Sequence, residues 1–314
     1  MIFLILMGMQ GKKYPRRNVN GVLLLDKPAG MTSNAVLQYV KRLFGAKKTG
    51  HTGSLDKMAT GLLPLCFGEA TKFSGMLLDS SKHYFATCSL GVKTRTGDAT
   101  GDIVDVREVP ELSREKIEAI LARYKGEISQ VPPMFSALKR NGHKLYKLAY
   151  QGIEVERSPR AVHIYDLNLR DFSHDQIDVE VRCSKGTYIR TLAEDIGEAV
   201  GCGAHISALR RTGVGPFTEE QMISLSKLET LAEISFEALD KILLPIDCAM
   251  RQLASVELED DVVYYLRQGQ PVLVPHAPIK GLVRIYDQRD RFLGIGEVRD
   301  DGRIAPRRLV QINV

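Results

Sequence analysis

The chain has 314 residues, of which 44% are hydrophobic and 26% charged, a composition that excludes a disordered or fibrous protein and allows one large domain or two. Its formal net charge is +5, and the basic residues form separate short clusters, which suit a polyanionic partner only if the fold gathers them on one face. The five cysteines contain no C-x-x-C pair, and Cys202 and His205 have no second ligand pair nearby, so neither a disulfide framework nor a metal site is predicted.

The N-terminal segment "MIFLILMGMQ" is apolar, but it is too short to span a bilayer and lacks the preceding positive charge of a signal peptide. We expect residues 1–17 to form a flexible extension, with Met7 and Met9 as alternative starts. No other segment is apolar enough to cross a membrane. The sequence therefore predicts a cytoplasmic protein with no membrane contact.

The first folded elements are read from "GVLLLDKPAGMTS". It predicts a buried strand over residues 22–25 and a turn through Pro28 and Gly30. Ser33 has the side chain of a helix N-cap, and apolar residues then recur at helical spacing until Gly45.

The next segment, "GHTGSLDKMATG" at residues 50–61, is predicted to be a loop. By local rules, Asp56 would cap a turn or a short helix, and His51 would be an ordinary surface or hydrogen-bonded histidine. Gly50 and Gly53, however, allow a ligand to approach the backbone closely. The loop alone does not decide between a structural and a chemical role for Asp56.

The middle of the chain alternates strand and helix patterns. "GLLPLCFG", "HYFATCSLG" and "GDIVDVREV" predict strands, "EATKFSGMLL" predicts a helix, and Ser113 can cap a helix that runs to Tyr124. From Gln130 to Pro159 the periodicity fades, and basic and aromatic residues alternate. A long segment of this kind is typical of a functional loop.

Strands resume at "AVHIYDLNLRDF" and "QIDVEVRCS", a helix follows "KGTY", and two helical stretches fill residues 219–243. A short helix at residues 260–267 then precedes several short strands. We expect a mixed α+β fold in which residues 18–249 form a mostly antiparallel central sheet with flanking helices. Residues 250–314 are expected to form a small β-rich domain.

Several common chemistries lack their motifs. The sequence has no P-loop, no G-x-S-x-G elbow and no H-E-x-x-H helix, and neither "GCGAHI" nor "GIGEVR" follows a first strand as a dinucleotide fingerprint must. No cofactor is therefore predicted.

Taken one at a time, the remaining polar candidates have ordinary structural explanations. Arg190 has Glu194 one helical turn away, Tyr84 and Tyr188 are half-buried amphipathic side chains, and Lys27 is a solvated turn residue.

In combination these residues carry a family resemblance. "GVLLLDKPAGMTS", "GHTGSLDKMATGLLPLCFGEATKFS", "KHYFATCSLG", "PPMFSALK", "CSKGTYIRTLAEDIGE" and "GAHISALRR" closely resemble the bacterial tRNA pseudouridine synthases of the TruB type, which isomerise uridine 55 in the T-loop. The terminal "GLVRIYD…FLGIGEV…APRRLV" resembles the PUA-like RNA-binding domain of that family. The resemblance implies a pseudouridine synthase fold, tRNA as partner through its T-stem-loop and acceptor stem, no cofactor or metal, and a monomer.

The same resemblance implies roles for individual residues. Asp56 would be the catalytic carboxylate, acting as a nucleophile on the ribose or the base or assisting a glycal-like intermediate. Arg190 would pair with it and favour its charged form. Tyr84 would lie against the target base and accept a proton in the sugar-centred route. Tyr188 and Leu209 would complete the base pocket.

The resemblance also implies how RNA would be held. His51 would fill the space left by the flipped base, and Lys27 would belong to the substrate-binding set. The insertion near residues 130–159 would clamp the RNA and become ordered on it. Three basic residues of the last domain would contact acceptor-stem phosphates: Lys280, Arg307 and Arg308.

The sequence departs from the family pattern at four positions without losing a group that the chemistry needs. Lys57 stands in place of a proline, Arg95 of an acid, Phe135 of a tyrosine and Tyr150 of an arginine.

Two other functions remain open at this stage. One is a non-catalytic RNA-binding or tRNA-folding protein on the same scaffold, which could also be a second activity. The other is a guide-dependent synthase of the H/ACA type, which shares the central motif.

Overall fold

The structure is a computed structural model that describes residues 16–311. Of the predicted extension over residues 1–17, only Arg16 and Arg17 fall among them. Arg17 pairs with both carboxylate oxygens of Asp240, at 2.5 and 2.7 Å, and donates to the Phe44 carbonyl at 2.8 Å. No helix within the described residues is long and apolar enough to span a bilayer.

Helices and strands alternate along the chain. The α-helices of the described part are α1 (Ser33–Leu43), α2 (Ser74–Asp79), α3 (Arg114–Ala122), α4 (Leu145–Tyr150), α5 (Ile189–Val200), α6 (Leu225–Ile234), α7 (Phe236–Asp240) and α8 (Asp260–Arg267). The strands up to the middle of the chain are β1 (Gly21–Lys27), β2 (Thr49–His51), β3 (Thr60–Phe67), β4 (Lys82–Leu90), β5 (Val92–Thr94), β6 (Ile103–Val106), β7 (Gly126–Gln130), β8 (Lys139–Arg140) and β9 (His143–Lys144). The later strands are β10 (Arg160–Phe172), β11 (Gln176–Cys183), β12 (Ala204–Val214), β13 (Phe217–Thr218), β14 (Ile223–Ser224), β15 (Ala254–Leu258), β16 (Gly281–Asp287), β17 (Phe292–Val298) and β18 (Ile304–Leu309).

The central sheet has ten strands, in the order β14-β1-β3-β12-β4-β11-β10-β7, with β2 beside β3 and β13 beside β12. The pairings β1–β14 and β3–β12 are parallel and the other pairings of this sheet are antiparallel. Its main apolar core packs between the sheet and helices α1, α3, α5 and α6. The predicted mixed α+β class with a mostly antiparallel central sheet is confirmed.

A second sheet, β15-β16-β17-β18, follows near the C-terminus and has its own apolar core. It contacts the first part of the chain through a small apolar cluster in which the rings of Phe73 and Phe292 lie 5.5 Å apart. Beside it, Asp247 accepts hydrogen bonds from Tyr286 at 2.6 Å and Arg284 at 3.2 Å. The predicted C-terminal β-rich part is thus present and packed against the central unit.

The N-cap of helix α1 lies one residue earlier in the chain than the sequence predicts. The N-cap is Thr32, whose hydroxyl accepts from the Ala35 amide at 3.1 Å, so the expectation that Ser33 caps the helix is wrong. Ser33 is buried and instead bonds Leu55 in both directions, accepting from its amide at 2.8 Å and donating to its carbonyl at 3.1 Å. The competing partner is a loop residue distant in sequence, which local capping rules do not consider.

The segment at residues 130–159 has more structure than its weak periodicity predicts. Strands β8 and β9 form a small hairpin, and α4 follows with Leu145 and Ala149 buried on one face. The Phe135 and Tyr150 rings meet edge to face at 5.5 Å. These contacts define the conformation of the segment in the structure, and its ordering on RNA stays a prediction.

The correction at the start of α1 gives a stability prediction. Thr32→Ala should lower the free energy of unfolding by about 1 kcal/mol, the usual cost of a lost N-cap. Ser33→Ala should cost about 1–3 kcal/mol, because it leaves the buried Leu55 amide and carbonyl without their partner. Urea unfolding of both variants measures the difference. If Ser33 were the cap, only its replacement would matter, and a Thr32→Ala variant as stable as the wild type would contradict this account.

Candidate active site

Asp56 lies on the irregular loop between β2 and β3, which we call the aspartate loop and define as residues 52–59. The loop is fixed at its start and in its middle by hydrogen bonds to regular structure. Thr52 donates its amide to the Pro64 carbonyl at 3.1 Å, and Ser33 holds Leu55 just before Asp56. Gly53 adopts a φ of 100°, which favours glycine there. The chain thus presents Asp56 on a short, anchored loop.

Lys27 supports this loop from below and is fully buried, so the expectation of a solvated turn residue is wrong. Its ammonium donates to the carbonyls of Ala59 at 2.6 Å, Pro28 at 2.9 Å and Lys57 at 3.4 Å. Burial lowers the pKa of Lys27 to about 8, against the opposing effect of the Asp56 charge. Lys27 therefore ties the C-terminal half of the aspartate loop to the turn at Pro28.

Arg190 is the second residue of α5 and contacts Asp56 through two of its guanidinium nitrogens. Its Nε lies 2.9 Å from one carboxylate oxygen and its Nη2 donates to the other at 3.2 Å. The arginine side chain is 5% exposed and that of Asp56 is 40% exposed. The carboxylate is therefore held on one side and open to a ligand on the other.

The remaining donors of Arg190 are taken up by backbone carbonyls. Nη1 donates to Thr96 at 2.7 Å, and Nη2 also donates to Phe135 at 2.8 Å. Glu194, the partner expected from helical spacing, lies against Gly97 instead. Arg190 thus joins the aspartate loop, the turn after β5 and the insertion near residues 130–159.

A second acid, Asp98, lies 3.9 Å from Arg190 Nε and is almost fully buried. Its carboxylate accepts from the Thr96 hydroxyl at 2.8 Å and from the amide and hydroxyl of Thr100 at 2.9 and 2.6 Å. These bonds hold a tight turn beside the arginine. Sequence reasoning missed Asp98, although the T-x-D-x-T spacing of this turn is a local signal for an aspartate that bonds its own backbone.

The electrostatics around Asp56 are balanced between burial and charge. Burial is the largest influence on the pKa of Asp56 and raises it, and Asp98 adds to this effect. Arg190 and Lys27 act in the opposite direction and favour the carboxylate. A reactive carboxylate at neutral pH therefore depends on these two cations.

Tyr84 lies on β4 next to the aspartate loop, directly opposite Arg211 on β12. Burial raises the pKa of its hydroxyl, while the neighbouring Arg211 lowers it. Leu209 is buried two residues before Arg211 on the same face of β12, in the apolar cluster against which Tyr84 packs. Arg211 stands in the motif "GAHISALRR", but sequence reasoning gave it no role.

Tyr188 immediately precedes α5 and is held by its backbone. The side chain of Gln130 accepts from the Tyr188 amide at 3.0 Å and donates to its carbonyl at 3.3 Å. Gln130 is buried at the start of the insertion and was not singled out from the sequence. Its amide side chain thus joins the insertion to the base of α5.

His51, at the end of β2, is half-buried, and its Nδ1 has no hydrogen-bond partner among the described residues. Burial lowers its pKa, and the positive charges of Arg211 and Lys144 lower it further. A neutral, flat ring therefore lies between the aspartate loop and the insertion.

The basic residues proposed for the last domain lie on a separate sheet. Arg307, on β18, pairs with Glu297 on β17 at 3.1 Å, and Lys280 and Arg308 are exposed. The structure thus brings Asp56, Arg190, Tyr84 and Lys27 into one electrostatic neighbourhood but leaves this basic set apart from it.

The described residues near the aspartate loop form no metal-binding cluster and expose no thiol. Residues 16–311 contain no group of three or more His, Cys, Asp and Glu side chains arranged to hold a metal ion. His205 contacts the Val92 carbonyl through Nδ1 at 2.9 Å, and all five cysteines are buried and free. A cavity of about 370 Å³ borders Lys27 and Thr60, but Asp56 does not line it.

The chemistry available is that of one oriented carboxylate. It can attack an electrophilic carbon or accept a proton, and a tyrosine hydroxyl and a neutral imidazole lie on neighbouring strands.

Comparison with known families accounts for most of the chain. Residues 41–189 match the TruB family pseudouridylate synthase N-terminal domain, and residues 190–251 match the tRNA pseudouridylate synthase B C-terminal domain. Residues 254–310 match the C-terminal domain of pseudouridine synthase II TruB.

Individual relatives are similar over nearly their whole length. A protein from Coxiella burnetii strain RSA 493, named tRNA pseudouridine synthase B, is 54% identical over 297 residues, covering 94% of this chain and 96% of the relative. Proteins of the same name from Nitrosococcus oceani and Stutzerimonas stutzeri are 52% and 53% identical, covering 95% of this chain and 97% and 98% of theirs.

Two solved structures are similar in fold. A chain in the crystal structure of a Cbf5-Nop10-Gar1 complex is 30% identical with a TM-score of 0.69, covering 88% of this chain and 78% of that one. A chain in an H/ACA RNP bound to a substrate RNA containing 2'-deoxyuridine is 25% identical with a TM-score of 0.71, covering 93% and 85%.

The buried position of Lys27 gives a pH prediction. Its pKa falls from 10.5 to about 8 on folding, so the unfolded chain binds the proton more tightly, and this residue makes stability rise with pH between about 8 and 10.5. Lys27→Met should reduce that slope by up to about 1.4 kcal/mol per pH unit. Urea unfolding between pH 7.5 and 10.5 measures it.

The matched control for this experiment is Lys139→Met, which removes an exposed lysine. It should retain the wild-type slope. A Lys27→Met variant whose slope equals that of the wild type would contradict the buried, charged lysine described above.

Proposed function

The chain belongs to the TruB family of pseudouridylate synthases and is an isomerase of that family, and on this premise we propose that it converts uridine 55 in the T-loop of tRNA into pseudouridine. The observation that carries the proposal is the two-nitrogen contact between Arg190 and Asp56, with one side of the carboxylate left open. A binding module has no need for a buried arginine that orients a partly exposed carboxylate.

The reaction breaks the N1–C1′ bond of uridine, turns the base and joins C5 to C1′. Product and substrate are isomers, so the balance needs no oxidant, reductant or phosphoryl donor, and the proposal includes no cofactor or metal. Asp56 serves as the nucleophile on the ribose or base, or assists a glycal intermediate in a route where Tyr84 accepts the proton. All these groups come from one chain, and we take the monomer as the active unit.

Arg190 has two roles in this proposal: it orients the Asp56 carboxylate, and it places a positive charge beside it. A planar guanidinium that contacts both carboxylate oxygens fixes the plane of the carboxylate, which a lysine cannot do. Its charge also offsets the effect of burial on the pKa of Asp56.

The target base is stacked within the T-loop and must be extruded before it can reach Asp56. We propose that His51 fills the vacated space, supported by its flat ring, its lowered pKa and its position beside the insertion. Tyr188 and Leu209 would then border the extruded base, and Lys27 would act on it indirectly by holding the aspartate loop.

The rest of the RNA would lie on two basic surfaces. The insertion exposes four basic side chains: Lys139, Arg140, Lys144 and Lys147. The residues of the C-terminal sheet, Lys280, Arg307 and Arg308, would contact the acceptor stem. We propose residues 18–249 as the catalytic domain and 250–314 as a PUA-like domain that extends the grip, in the cytoplasm, where tRNA is modified.

The two similar structures are chains of larger assemblies, one a Cbf5-Nop10-Gar1 complex and the other an H/ACA RNP bound to a substrate RNA. We propose that this chain needs no guide RNA, because its similarity to the tRNA pseudouridine synthases is higher and extends through the last domain. Activity on free tRNA without added guide supports this proposal, and a strict requirement for a guide would overturn it.

Asp56→Asn should abolish pseudouridine formation while leaving tRNA affinity within about twofold, because the amide keeps the size of the carboxylate but lacks its charge. The measurement maps pseudouridine in an unmodified tRNA incubated with each protein and determines affinity by filter binding. The wild type should modify position 55 alone. Turnover by Asp56→Asn, or modification at another position, would contradict the proposed function.

The basic surface of the insertion gives a salt prediction. Replacing Lys139 and Arg140 together by alanine should lower the slope of log affinity against log salt by about 2, if each contacts one phosphate. The matched control replaces the exposed Lys116 and Lys125, outside the insertion, and should leave the slope unchanged. Equal slopes for the wild type and the insertion variant would show that these residues do not contact phosphate.

A tRNA-folding activity is the second candidate, supported by basic surfaces that extend beyond the Asp56 site. The inactive Asp56→Asn protein should then accelerate the refolding of misfolded tRNA as well as the wild type does. Refolding no faster than with an unrelated basic protein would remove this second activity without affecting the first.

A further inference from the structure

Arg211 is the largest fully buried side chain in the described part of the protein, at 1% exposed. Its guanidinium donates from Nε to the Leu62 carbonyl at 2.7 Å and from Nη2 to the Gly53 carbonyl at 3.2 Å. Neither acceptor is charged, and no carboxylate among residues 16–311 forms an ion pair with this guanidinium. Burying an arginine without a paired acid is costly, so its presence here calls for an explanation.

The strand that carries Arg211 places this residue beside two elements of the site. On one side it pairs in register with Gly61 of β3, where a Cβ would lie 2.3 Å from the Arg211 carbonyl oxygen. On the other side it pairs in register with Tyr84 of β4. Directly opposed residues of an antiparallel pair have their Cβ atoms about 5 Å apart on the same face, so the two side chains share one space.

Tyr84 also depends on Arg211 electrostatically. Burial raises the pKa of the Tyr84 hydroxyl, and the nearby Cys183 and Asp56 raise it further. Arg211 lowers the pKa through both its charge and its side-chain contact. Lys82 is a second buried cation, two residues earlier on β4. Its ammonium donates to the carbonyls of Leu78 and Ser80, each at 2.6 Å.

We propose that Arg211 is a positioning residue that holds the Tyr84 hydroxyl and the Gly53 end of the aspartate loop as one unit, and whose charge prepares Tyr84 to receive a proton. The proposal rests on the function proposed above and deepens it. Gly53 is three residues before Asp56, so one guanidinium fixes both the loop that carries the carboxylate and the tyrosine that faces the base.

The physical reason follows from the burial of the phenol. A hydroxyl that is to accept a proton from the substrate must first release its own to the solvent, before RNA covers the site, and burial opposes the resulting phenolate. A fixed guanidinium within the same space offsets that opposition without reorganising during the reaction. An exposed cation would be screened by water and would do this poorly.

The first test reads Tyr84 without any assay of activity. A fluorinated tyrosine, more acidic than tyrosine, is introduced at position 84 of the full chain by amber suppression, and its titration is followed by ¹⁹F NMR. Arg211→Met should raise the titration midpoint by about 1 pH unit or more, and Arg211→Lys should raise it less. The matched control, Lys82→Met, removes a neighbouring buried cation and should shift the midpoint less than either.

A midpoint that is unchanged in Arg211→Met, or that shifts equally in Lys82→Met, would overturn the proposal. If Arg211→Met fails to fold, as judged by circular dichroism, the Arg211→Lys and Lys82→Met comparison still decides, because Arg211→Lys retains a cation at the site.

The second test is a double-mutant cycle measured by single-turnover pseudouridine formation. Arg211→Lys should slow the reaction about 10-fold with tRNA affinity unchanged, and its effect should fall to within about 2-fold when Tyr84 is replaced by Phe. The acid limb of the pH–rate profile should keep its midpoint, since it reports the ionisation of Asp56. The rise in rate at high pH should shift to a higher pH.

A purely structural role would give additive losses and weaker tRNA binding, and additivity would overturn the proposal. The outcomes remain separable from the function proposed above. If Asp56→Asn retains full activity, the proposed function fails, whereas the NMR result still reports whether Arg211 controls Tyr84.

Discussion

The buried guanidinium of Arg190 is the constraint on which the arrangement of the site depends. Once that charge is removed from water, each of its donors needs an acceptor, and the acceptors come from three separate segments. The aspartate loop supplies Asp56, the turn after β5 supplies the Thr96 carbonyl, and the insertion supplies the Phe135 carbonyl. Satisfying one side chain therefore brings together parts of the chain up to 134 residues apart.

The aspartate loop needs such help because it has little regular hydrogen bonding of its own. Lys27 and Arg211 hold its carbonyls from below, and the Ser33 hydroxyl holds Leu55 from α1. Two buried cations beneath a single carboxylate also make the floor of the site electropositive. Lys27 thus both holds the loop and favours the ionised form of Asp56, so that stability and reactivity share this contact.

Sequence reasoning performed well where a pattern is local. The strand over residues 22–25, the helix at 260–267 and the α+β class follow from periodicity and turn residues, and the structure confirms them. It failed for partners distant in the chain. The Ser33 hydroxyl bonds a loop 22 residues away and Lys27 turns inward to carbonyls 30 or more residues on, and neither is encoded in neighbouring positions. Arg211 shows the same limit, since only strand register places it opposite Tyr84.

The central proposal is that the carboxylate held by Arg190 faces the sugar or base of an extruded uridine. The most direct measurement is a crystal structure of the Asp56→Asn protein bound to a T-arm stem-loop. The account predicts a nucleotide flipped out of the loop, its base against Tyr84, and C1′ or C6 within about 3.5 Å of the residue 56 side chain. A target nucleotide that remains stacked in the RNA, or that is bound away from residue 56, would contradict it.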